Sequence, residues 1–580
     1  MLAIYAEKVA GRNLRQSFEA WQRSHDHFWR HRVRKLEVDV VVIGGGATGS
    51  AVVRDVAMRG FKAALVDRVD LAQGTTARFH GLLHSGGRYV KSDPESATEC
   101  AQENTVLRTI VPHSIEDTGG LFVTTSKDSE EHADIFLECA NKTKVPAYEI
   151  SPAEALKREP RLDPKLKRAF VVEDGTIDGW KMVWGFAHSA KEYGAKILPY
   201  HWVTGIEVTN GAVSAVKCED HKHGGEEVVI DCKFVINCGG PWAGEIAALA
   251  GCHDVNVVPG AGIMIAMNHR ICQHVINRCI YPSDGDLIVP AHQVAIIGTT
   301  DQVAPSADFL QIKDQEVQQM LDAGDALLPG FRHSRPLHVW VGARPLVKDN
   351  RVAATDSRHM SRGMSVMDHE ERDGVKGMLT VAGGKLTTCR LMAERTVNIM
   401  CDLMKDERAC RTAQEAVPGQ ENSRQHRLTD RLEAREQHWN KDQIICECEL
   451  VSRRMVEETI QEFPNASLDD LRRQLRIGMG PCQGGFCSMR CAGIVNEQGA
   501  ASVERATNMI SLFMKNRWIG IKPILFGESA REAALDNWIM QGIFDLEHAP
   551  GKGQLSEVAL NPVEQERDKH EREAVKEALA

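Results

Sequence analysis

Val38-Asp39-Val40-Val41-Val42-Ile43, followed at once by Gly44-Gly45-Gly46-Ala47-Thr48-Gly49, joins an apolar, β-branched run to a glycine-rich turn. The run has the composition of a buried parallel strand. A helical pattern then continues to Met58, and a second apolar run over residues 62–66 ends in Asp67. This order of strand, GxGxxG turn, helix and acid is typical of a dinucleotide-binding βαβ unit. The pattern does not distinguish FAD from NAD, and a glycine loop without a ligand is the alternative.

Each glycine of such a turn has a physical task. Gly44 permits the tight bend, Gly46 lets a pyrophosphate approach the backbone, and Gly49 lets the helix pack on the strand. The helix N-terminus then presents free amides and a positive dipole end to the diphosphate. Asp67 is predicted to accept hydrogen bonds from the ribose hydroxyls.

Composition indicates a globular protein of several domains. The chain has 580 residues, 43% of them apolar, and a formal net charge of −10. That charge argues against non-specific nucleic-acid binding. No apolar run is long enough to cross a bilayer, and the N-terminus lacks the apolar core of a secretory signal. We therefore expect a cytoplasmic protein in a reducing compartment, which a partner or an amphipathic element could hold at a membrane.

Residues 1–36 precede the first predicted strand and are rich in Lys and Arg. Leu14, Phe18, Trp21 and Phe28 fall near one helical stripe. A basic amphipathic extension of this kind could lie on an anionic membrane or dock on a subunit. Packing on its own domain is an equally good interpretation.

Three further stretches indicate contact between backbone and ligand. Residues 74–89 combine Gly, Thr, His and Arg at a density typical of a loop that lies against a ligand. A late strand ends in Gly383-Gly384 and runs into a helix, which repeats the logic of the first turn. A strand that ends in Gly239-Gly240 makes a similar close turn. Because the chain returns to the nucleotide site so late, FAD is favoured over NAD.

Four cysteines lie in two tight pairs near the C-terminus, Cys446 with Cys448 and Cys482 with Cys487. Glycine-rich sequence beside the second pair could wrap one metal centre, and four thiolates are what an iron–sulfur cluster requires. Tetrahedral zinc would accept the same ligands, and four unrelated core cysteines are a further alternative. Cys491 lies one helical turn beyond Cys487 and is predicted to pack in the core.

The predicted fold class is α/β: a Rossmann-like FAD-binding domain interleaved with a mixed-sheet substrate domain, plus a small, mostly helical, cysteine-rich cluster domain. The predicted boundaries are an extension over residues 1–36, the flavin oxidoreductase region over 37–410, a linker over 411–442, the cysteine-rich cluster domain over 443–500, a helical segment over 501–548 and a charged tail over 549–580.

The motifs together resemble a known family. The Gly44 turn, the run His80-Gly81-Leu82-Leu83-His84-Ser85-Gly86-Gly87-Arg88-Tyr89, and the stretches around Thr299, Arg344 and Lys385 are similar to the FAD-dependent glycerol-3-phosphate dehydrogenases. The cysteine pairs resemble the ferredoxin-like domain named after bacterioferritin-associated ferredoxin. This combination is similar to the catalytic A subunits of the anaerobic enzymes, over roughly residues 38–545.

The resemblance implies site residues. His84, Arg344 and Lys385 would be catalytic, with His84 the candidate base, because imidazole ordinarily titrates near neutral pH. It implies substrate contacts by Arg88, Tyr89, Arg344 and Arg362, since guanidinium forks suit a phosphate dianion. Arg344 is expected in a strand-turn; each Arg could instead serve in an ion pair, and His84 could only orient FAD. The residues that would hold FAD are Gly44, Gly46, Gly49, Asp67, Thr75, His80, Gly81, Gly240, Gly384 and Lys385. The implied cluster ligands are Cys446, Cys448, Cys482 and Cys487.

The implied reaction is the oxidation of sn-glycerol 3-phosphate to dihydroxyacetone phosphate, with hydride transfer to FAD. Electrons would then leave singly through the 2Fe–2S cluster to a membrane-associated, quinone-linked partner, within a hetero-oligomer or dimer at the cytoplasmic membrane face. The alternatives are a flavin dehydrogenase of another anionic 2-hydroxy acid or of an amine, an enzyme with a structural zinc, and a redox sensor or scaffold.

Overall fold

The computed structural model describes residues 33–222, 225–347, 363–418, 428–437 and 442–549. In chain order its strands are Arg34–Glu37 (β1), Val40–Ile43 (β2), Ala63–Val66 (β3), Leu82–Leu83 (β4), Ile115–Glu116 (β5), Gly120–Thr124 (β6), Ala147–Ile150 (β7), Arg168–Val172 (β8), Gly175–Ile177 (β9), Lys196–Leu198 (β10), His201–Thr209 (β11), Ala212–Asp220 (β12), Glu226–Asp231 (β13), Phe234–Asn237 (β14), Val257–Met267 (β15), Val275–Arg278 (β16), Leu287–Ala291 (β17), Val294–Gly298 (β18), Gln302–Val303 (β19), Pro336–Val347 (β20), Met364–Asp368 (β21), Met378–Gly383 (β22), Ile444–Cys446 (β23) and Val451–Ser452 (β24).

The α-helices are Ala47–Met58 (α1), Pro94–Ile110 (α2), Glu131–Lys142 (α3), Pro152–Arg158 (α4), Gly179–Glu192 (α5), Ala243–Ala248 (α6), Asp314–Leu327 (α7), His369–Asp373 (α8), Cys389–Met404 (α9), Leu428–Glu436 (α10), Arg453–Glu462 (α11), Leu468–Leu475 (α12), Cys487–Glu497 (α13), Val503–Ile521 (α14) and Gly527–Asn537 (α15). A π-helical turn, Trp538–Ile543, follows α15.

A six-stranded sheet in the order β10-β3-β2-β14-β22-β21 carries the glycine turns. Its strands are parallel except β21, which pairs antiparallel with β22. Every residue of β2 is buried, as its uninterrupted apolar composition predicts for a strand covered on both faces. Helix α1 packs against α5 and α9 beside this sheet.

A larger mixed sheet forms the second subdomain of the flavin region. Its strand order is β19-β15-β18-β17-β16-β6-β8-β7, with β20 also paired to β15. The long antiparallel pair of β15 and β20 brings Arg344 opposite Gly260. Three separated parts of the chain build this sheet, so the two subdomains are interleaved, as predicted.

Strand β1 begins within the extension predicted over residues 1–36. It pairs in parallel with β13 in a four-stranded sheet of order β1-β13-β12-β11. The apolar stripe of Leu14, Phe18, Trp21 and Phe28 lies outside the described residues.

The C-terminal domain consists of the β23–β24 hairpin and helices α11 to α15. The hairpin and helices α11 to α14 enclose a core of their own. Helix α12 begins with a capping box in which Ser467 and Asp470 exchange side-chain and backbone hydrogen bonds. Helix α10 lies within the predicted linker. Residues 550–580, most of the predicted tail, fall outside the described residues. Among the residues that are described, no helix has both the length and the apolar character needed to cross a membrane.

Candidate active site

The first glycine turn is built as tightly as its sequence predicts. Gly44 has a φ of +106°, and a Cβ there would lie 2.5 Å from the Cys238 carbonyl oxygen. A Cβ on Gly49 would lie 1.8 Å from the Gly44 carbonyl oxygen, so only glycine lets α1 approach the turn. Gly46 directly precedes α1, and the Ala47 amide donates to Thr76 Oγ1 at 3.0 Å.

Asp67 follows β3 and supports this turn from below. Its carboxylate accepts hydrogen bonds from the Gly45 amide at 2.6 Å and the Val69 amide at 3.0 Å. Burial raises the pKa of Asp67, although these amides act in the opposite direction. Asp67 therefore organises the protein backbone, and it also lines the cleft described below.

The second glycine turn connects β22 to α9. Gly383 and Gly384 have φ values of +79° and +73°. A Cβ on Gly384 would lie 2.2 Å from the Met392 sulfur. The strands that lead into the two turns, β2 and β22, belong to one sheet and have a single strand, β14, between them. The two turns are therefore neighbours.

Both turns open into one cleft with a volume of about 2540 Å³. The predicted site residues that line it are Gly44, Gly46, Asp67, Thr75, His80, His84, Arg88, Tyr89, Gly240, Arg344, Gly384 and Lys385. Gly49 and Gly81 do not line the cleft: Gly49 packs on Gly44, and Gly81 supplies a left-handed turn with a φ of +85°. Thr75 donates its hydroxyl hydrogen to the Ala343 carbonyl at 2.6 Å.

Two histidines stand side by side in the cleft, with ring centroids 5.8 Å apart. The Leu82 amide lies 3.1 Å from His80 Nδ1, so the neutral His80 ring carries its proton on Nε2. Burial, together with Arg88 and Arg344, lowers the pKa of His80 to about 3. The backbone of His84 is held by Thr387 and Asn104. Its ring packs on Tyr89 at a centroid distance of 5.3 Å.

Arg88 is held by a carboxylate that the sequence prediction did not include. Its guanidinium contacts Asp286 Oδ1 at 2.5 Å. Burial by itself would lower the pKa of Arg88, but the charge of Asp286 raises it. Asp286 is in turn oriented by the Ser283 amide at 2.7 Å.

Arg344 lies inside a strand and not at the expected strand-turn. Its guanidinium donates to Asp301 Oδ1 at 2.9 Å, to the Thr300 carbonyl at 3.0 Å and to the Thr299 hydroxyl. Asp301 belongs to the stretch that resembles the family, but only the fold assigns it to Arg344. Such pairing over a long sequence separation leaves no local pattern.

Lys385 follows the second glycine turn and points along the cleft. Its ammonium donates to Ser96 Oγ at 2.7 Å and lies 4.6 Å from the centre of the Tyr89 ring. Asp93 is 3.9 Å away. The side chain is 9% exposed, so this charge is held in place by α2. Arg362, the remaining predicted substrate contact, lies outside the described residues.

The C-terminal domain also contributes to the cleft wall, which the sequence did not predict. Residues from α12, α14 and the loops before them face the cavity, among them Ser467, Arg473, Arg505 and Asn516. The cleft therefore extends from the glycine turns to the cysteine-rich domain.

The four predicted cluster cysteines converge in this domain as two close pairs. The sulfur atoms of Cys448 and Cys482 are 3.8 Å apart. Cys487 hydrogen-bonds to Cys446, which lowers the pKa of Cys446, and Cys448 lowers the pKa of Cys482 to about 6. A Cβ on Gly480 would lie 2.3 Å from Cys448 Cβ, so glycine is required where the loops meet.

The donor sets fit the cofactors that the sequence predicts. Four thiols that come together as two close pairs, on loops that meet at Gly480, match the four thiolates that a 2Fe–2S cluster takes. Cys491 is fully buried, and burial raises its pKa to about 12, which favours its neutral thiol. On the other side of the cleft, the glycines of the two turns have no side chains, so a dinucleotide can come close to the backbone.

Comparison with known proteins gives the family. The family model described as FAD dependent oxidoreductase matches residues 39–396, and that of the BFD-like [2Fe-2S] binding domain matches residues 444–497. The A subunit of the anaerobic glycerol-3-phosphate dehydrogenase from Haemophilus influenzae is 38% identical over 532 residues, which are 88% of this chain and 94% of that protein. This chain belongs to that A-subunit family.

Other relatives extend the finding. The corresponding protein from Escherichia coli K12 is 37% identical over 537 residues, 88% of this chain and 97% of that protein. The crystal structure of the Bacillus halodurans glycerol-3-phosphate dehydrogenase complexed with FAD superposes with a TM-score of 0.54, at 19% identity, over 88% of this chain and 95% of that one. The predictions of the family, the fold class, FAD and a 2Fe–2S cluster in place of zinc are confirmed. The protein is an FAD-dependent oxidoreductase.

Proposed function

We propose that this protein oxidises sn-glycerol 3-phosphate to dihydroxyacetone phosphate and passes the electrons, through its cluster, to a quinone-linked partner protein. The observation that carries the proposal is one cleft that joins the glycine turns to Arg88, Arg344 and Lys385. FAD, when bound, supplies the two-electron acceptor that takes a hydride from C2 of the substrate. The dinucleotide would be held by Gly44, Gly46, Asp67, Thr75, His80, Gly240 and Gly384.

The cationic side chains are the reason for proposing a phosphorylated substrate. Arg88 and Arg344 are each oriented by a carboxylate, Asp286 and Asp301, so their forks are held before substrate arrives. A phosphate dianion binds such forks by charge-assisted hydrogen bonds. Lys385 would stabilise negative charge that develops beside the second glycine turn.

The two histidines differ in what they can do with a proton. His80 Nδ1 already accepts a hydrogen bond, so its Nε2–H is a donor and this ring is a poor base. His84 is therefore the better candidate to accept the C2 hydroxyl proton. Tyr89, stacked beside His84 and under Lys385, would close the substrate pocket.

Surface composition supports a partner beside the cluster. Trp518, Trp538, Ile543 and Phe544 are exposed apolar side chains of the C-terminal segment, and Phe486 is exposed on the loop between Cys482 and Cys487. A concentration of exposed aromatic residues is typical of an interaction surface. The two A-subunit relatives described above are, by name, parts of larger assemblies. Peripheral attachment to a membrane would follow from that partner.

The proposal is tested by spectroscopy on protein purified without oxygen. Glycerol 3-phosphate should bleach the flavin and then produce the signal of a reduced cluster. Lactate, 2-hydroxyglutarate and sarcosine serve as competing substrates, because they represent the alternative hydroxy acids and amines. If any of these three compounds bleaches the flavin faster than glycerol 3-phosphate does, that compound is the better substrate and the proposed substrate is wrong. A cluster signal that stays oxidised while the flavin is bleached would remove the electron route.

A further inference from the structure

Two arginines connect the cysteine-rich domain to the flavin domain. Arg473 lies in the last turn of α12, and Arg476 follows the end of that helix. Both side chains are almost enclosed, with 12% and 9% exposure. Each reaches across the domain boundary to a carboxylate of the flavin domain.

Arg473 reaches the loop that lies under the first glycine turn. Its Nε is 2.8 Å from Asp70 Oδ2, and its Nη2 contacts Asp470 of α12. The loop is fastened to the turn, since the Ala72 amide donates to the Gly45 carbonyl at 2.9 Å. A displacement of Arg473 would therefore also displace the loop that is hydrogen-bonded to the turn.

Arg476 links the start of α5 to the cluster loop. It contacts Asp178 Oδ2 at 3.1 Å and Glu449 Oε2 at 3.2 Å. Asp178 is the N-cap of α5 and also receives the Trp180 and Lys181 amides, both at 3.1 Å.

Both ends of the Arg476 bridge lie at functional positions. Gly179, next to Asp178, lies against the Thr76 carbonyl, and Thr76 accepts the Ala47 amide at the start of α1. At the other end, Glu449 directly follows the cluster ligand Cys448. Unbroken contacts thus run from the cluster loop to the flavin turn.

Glu449 is the centre of this bridge on the cluster side. It is fully buried, and Arg431 of α10 and His292 of the turn between β17 and β18 also face it, at 3.2 and 3.5 Å. Enclosed ion pairs are costly to desolvate and give little net stability. What they do provide is a single geometry, because any shift would leave a buried charge without its partner.

We propose that Arg473 and Arg476 are positioning residues that hold the cluster at a fixed distance from the flavin, and that electron transfer between the two depends on them. The inference rests on the proposed function. Oxidation of one alcohol to a ketone releases two electrons and two protons, whereas the cluster takes one electron at a time. Two transfers across this boundary are needed per turnover, and the rate of each falls steeply with separation.

The test uses the holoenzyme with the single variants Arg473→Gln and Arg476→Gln and the double variant. Arg531→Gln is the matched control, because Arg531 forms an exposed pair with Glu528 in the same domain. Stopped-flow absorbance follows flavin bleaching by glycerol 3-phosphate, and electron paramagnetic resonance of frozen samples follows cluster reduction. Iron and FAD contents and reduction by dithionite are measured on every sample.

In the double variant we expect cluster reduction by glycerol 3-phosphate to slow at least tenfold relative to flavin bleaching in the same sample, while dithionite reduction of the cluster stays as in the wild type. Arg473→Lys should be intermediate, because it keeps one of two contacts. Cluster reduction at the wild-type rate in the double variant would overturn the inference, and so would loss of FAD as the sole defect. If the double variant does not fold, Arg473→Lys and Asp70→Asn decide by the same readouts. Failure of the wild type to bleach would instead refute the proposed substrate.

Discussion

At the scale of single residues, the site is a set of charges held by opposite charges. Arg88, Arg344 and Lys385 each have a protein partner in the cleft. Asp301, the partner of Arg344, is 5% exposed. Substrate phosphate would therefore meet cations whose positions are already determined, which reduces the entropic cost of binding.

Replacing Arg344 should weaken substrate binding. The double variant Arg344→Met/Asp301→Asn removes the cation without leaving a buried, unpaired carboxylate. We expect kcat/KM for glycerol 3-phosphate to fall about ten- to one-hundred-fold, since a hydrogen bond to a charged group contributes about 1.5–3 kcal/mol. Arg332→Met, at an exposed pair with Asp322, should change little. Unchanged steady-state kinetics in the double variant would remove Arg344 from the substrate site.

The two histidines should separate in a pH–rate profile. Because the pKa of His80 is lowered to about 3, His80 remains neutral throughout the range from about pH 5 to 9. His80→Gln should therefore leave the acidic limb of the kcat/KM profile where it is, whatever its effect on FAD binding. His84→Gln should lower kcat by about 10²–10⁴-fold, as expected for loss of a general base. An acidic limb that moves in His80→Gln would contradict this assignment.

At the scale of elements, two turns depend on glycine for different reasons. Gly44 combines a positive φ with a carbonyl group where a Cβ would lie. Gly374, in the turn that ends α8, has a similar φ of +75° but open space around it.

Gly44→Ala and Gly374→Ala therefore form a matched pair. Both should lose about 1–2 kcal/mol through the left-handed conformation. Gly44→Ala should lose about 1–3 kcal/mol more through overpacking, and should also lose bound FAD. Denaturant unfolding and the FAD content of the purified proteins measure the difference. Equal losses with full FAD in both variants would show that the clash at Gly44 is relieved elsewhere.

The cysteine loops give a second pair of variants. Cys482→Ser should abolish the 2Fe–2S cluster, because its sulfur lies 3.8 Å from that of Cys448. Cys491→Ala should keep the iron and the visible spectrum, with a small loss of stability from the buried sulfur. Iron and acid-labile sulfide analysis distinguishes them. Loss of iron in Cys491→Ala would make this thiol a ligand.

At the scale of the whole molecule, the cleft lies where three structural units meet. The six-stranded sheet, the nine-stranded sheet and the C-terminal domain all contribute to its wall. A ligand that fills it therefore ties parts of the chain that are far apart in sequence.

Removal of FAD should accordingly destabilise the whole chain. At about one hundred times its dissociation constant, FAD should add about 2.7 kcal/mol to the free energy of unfolding. Thermal unfolding of apoprotein with and without FAD measures this, with FMN as the control because it lacks the adenosine that Asp67 is proposed to hold. Equal shifts with FMN would place the stabilisation outside the dinucleotide turn.

Several elements could be predicted from residues alone because their causes are local. The β2 strand and the Gly44 turn each depend on neighbours within a few positions. The same holds for the second glycine turn and for the spacing of the cluster cysteines. The resemblance to a known family then connected these separate motifs with a single predicted activity.

The amino-acid sequence by itself thus determined the dinucleotide turn, the cysteine pairs and the set of cationic side chains, because short-range sterics and donor chemistry specify them. Only the tertiary structure decided that Asp286 and Asp301 orient Arg88 and Arg344, and that Arg473 and Arg476 reach the flavin domain. These pairs join residues that are remote in sequence. Their partners are selected by sheet order and domain packing, which depend on the whole chain.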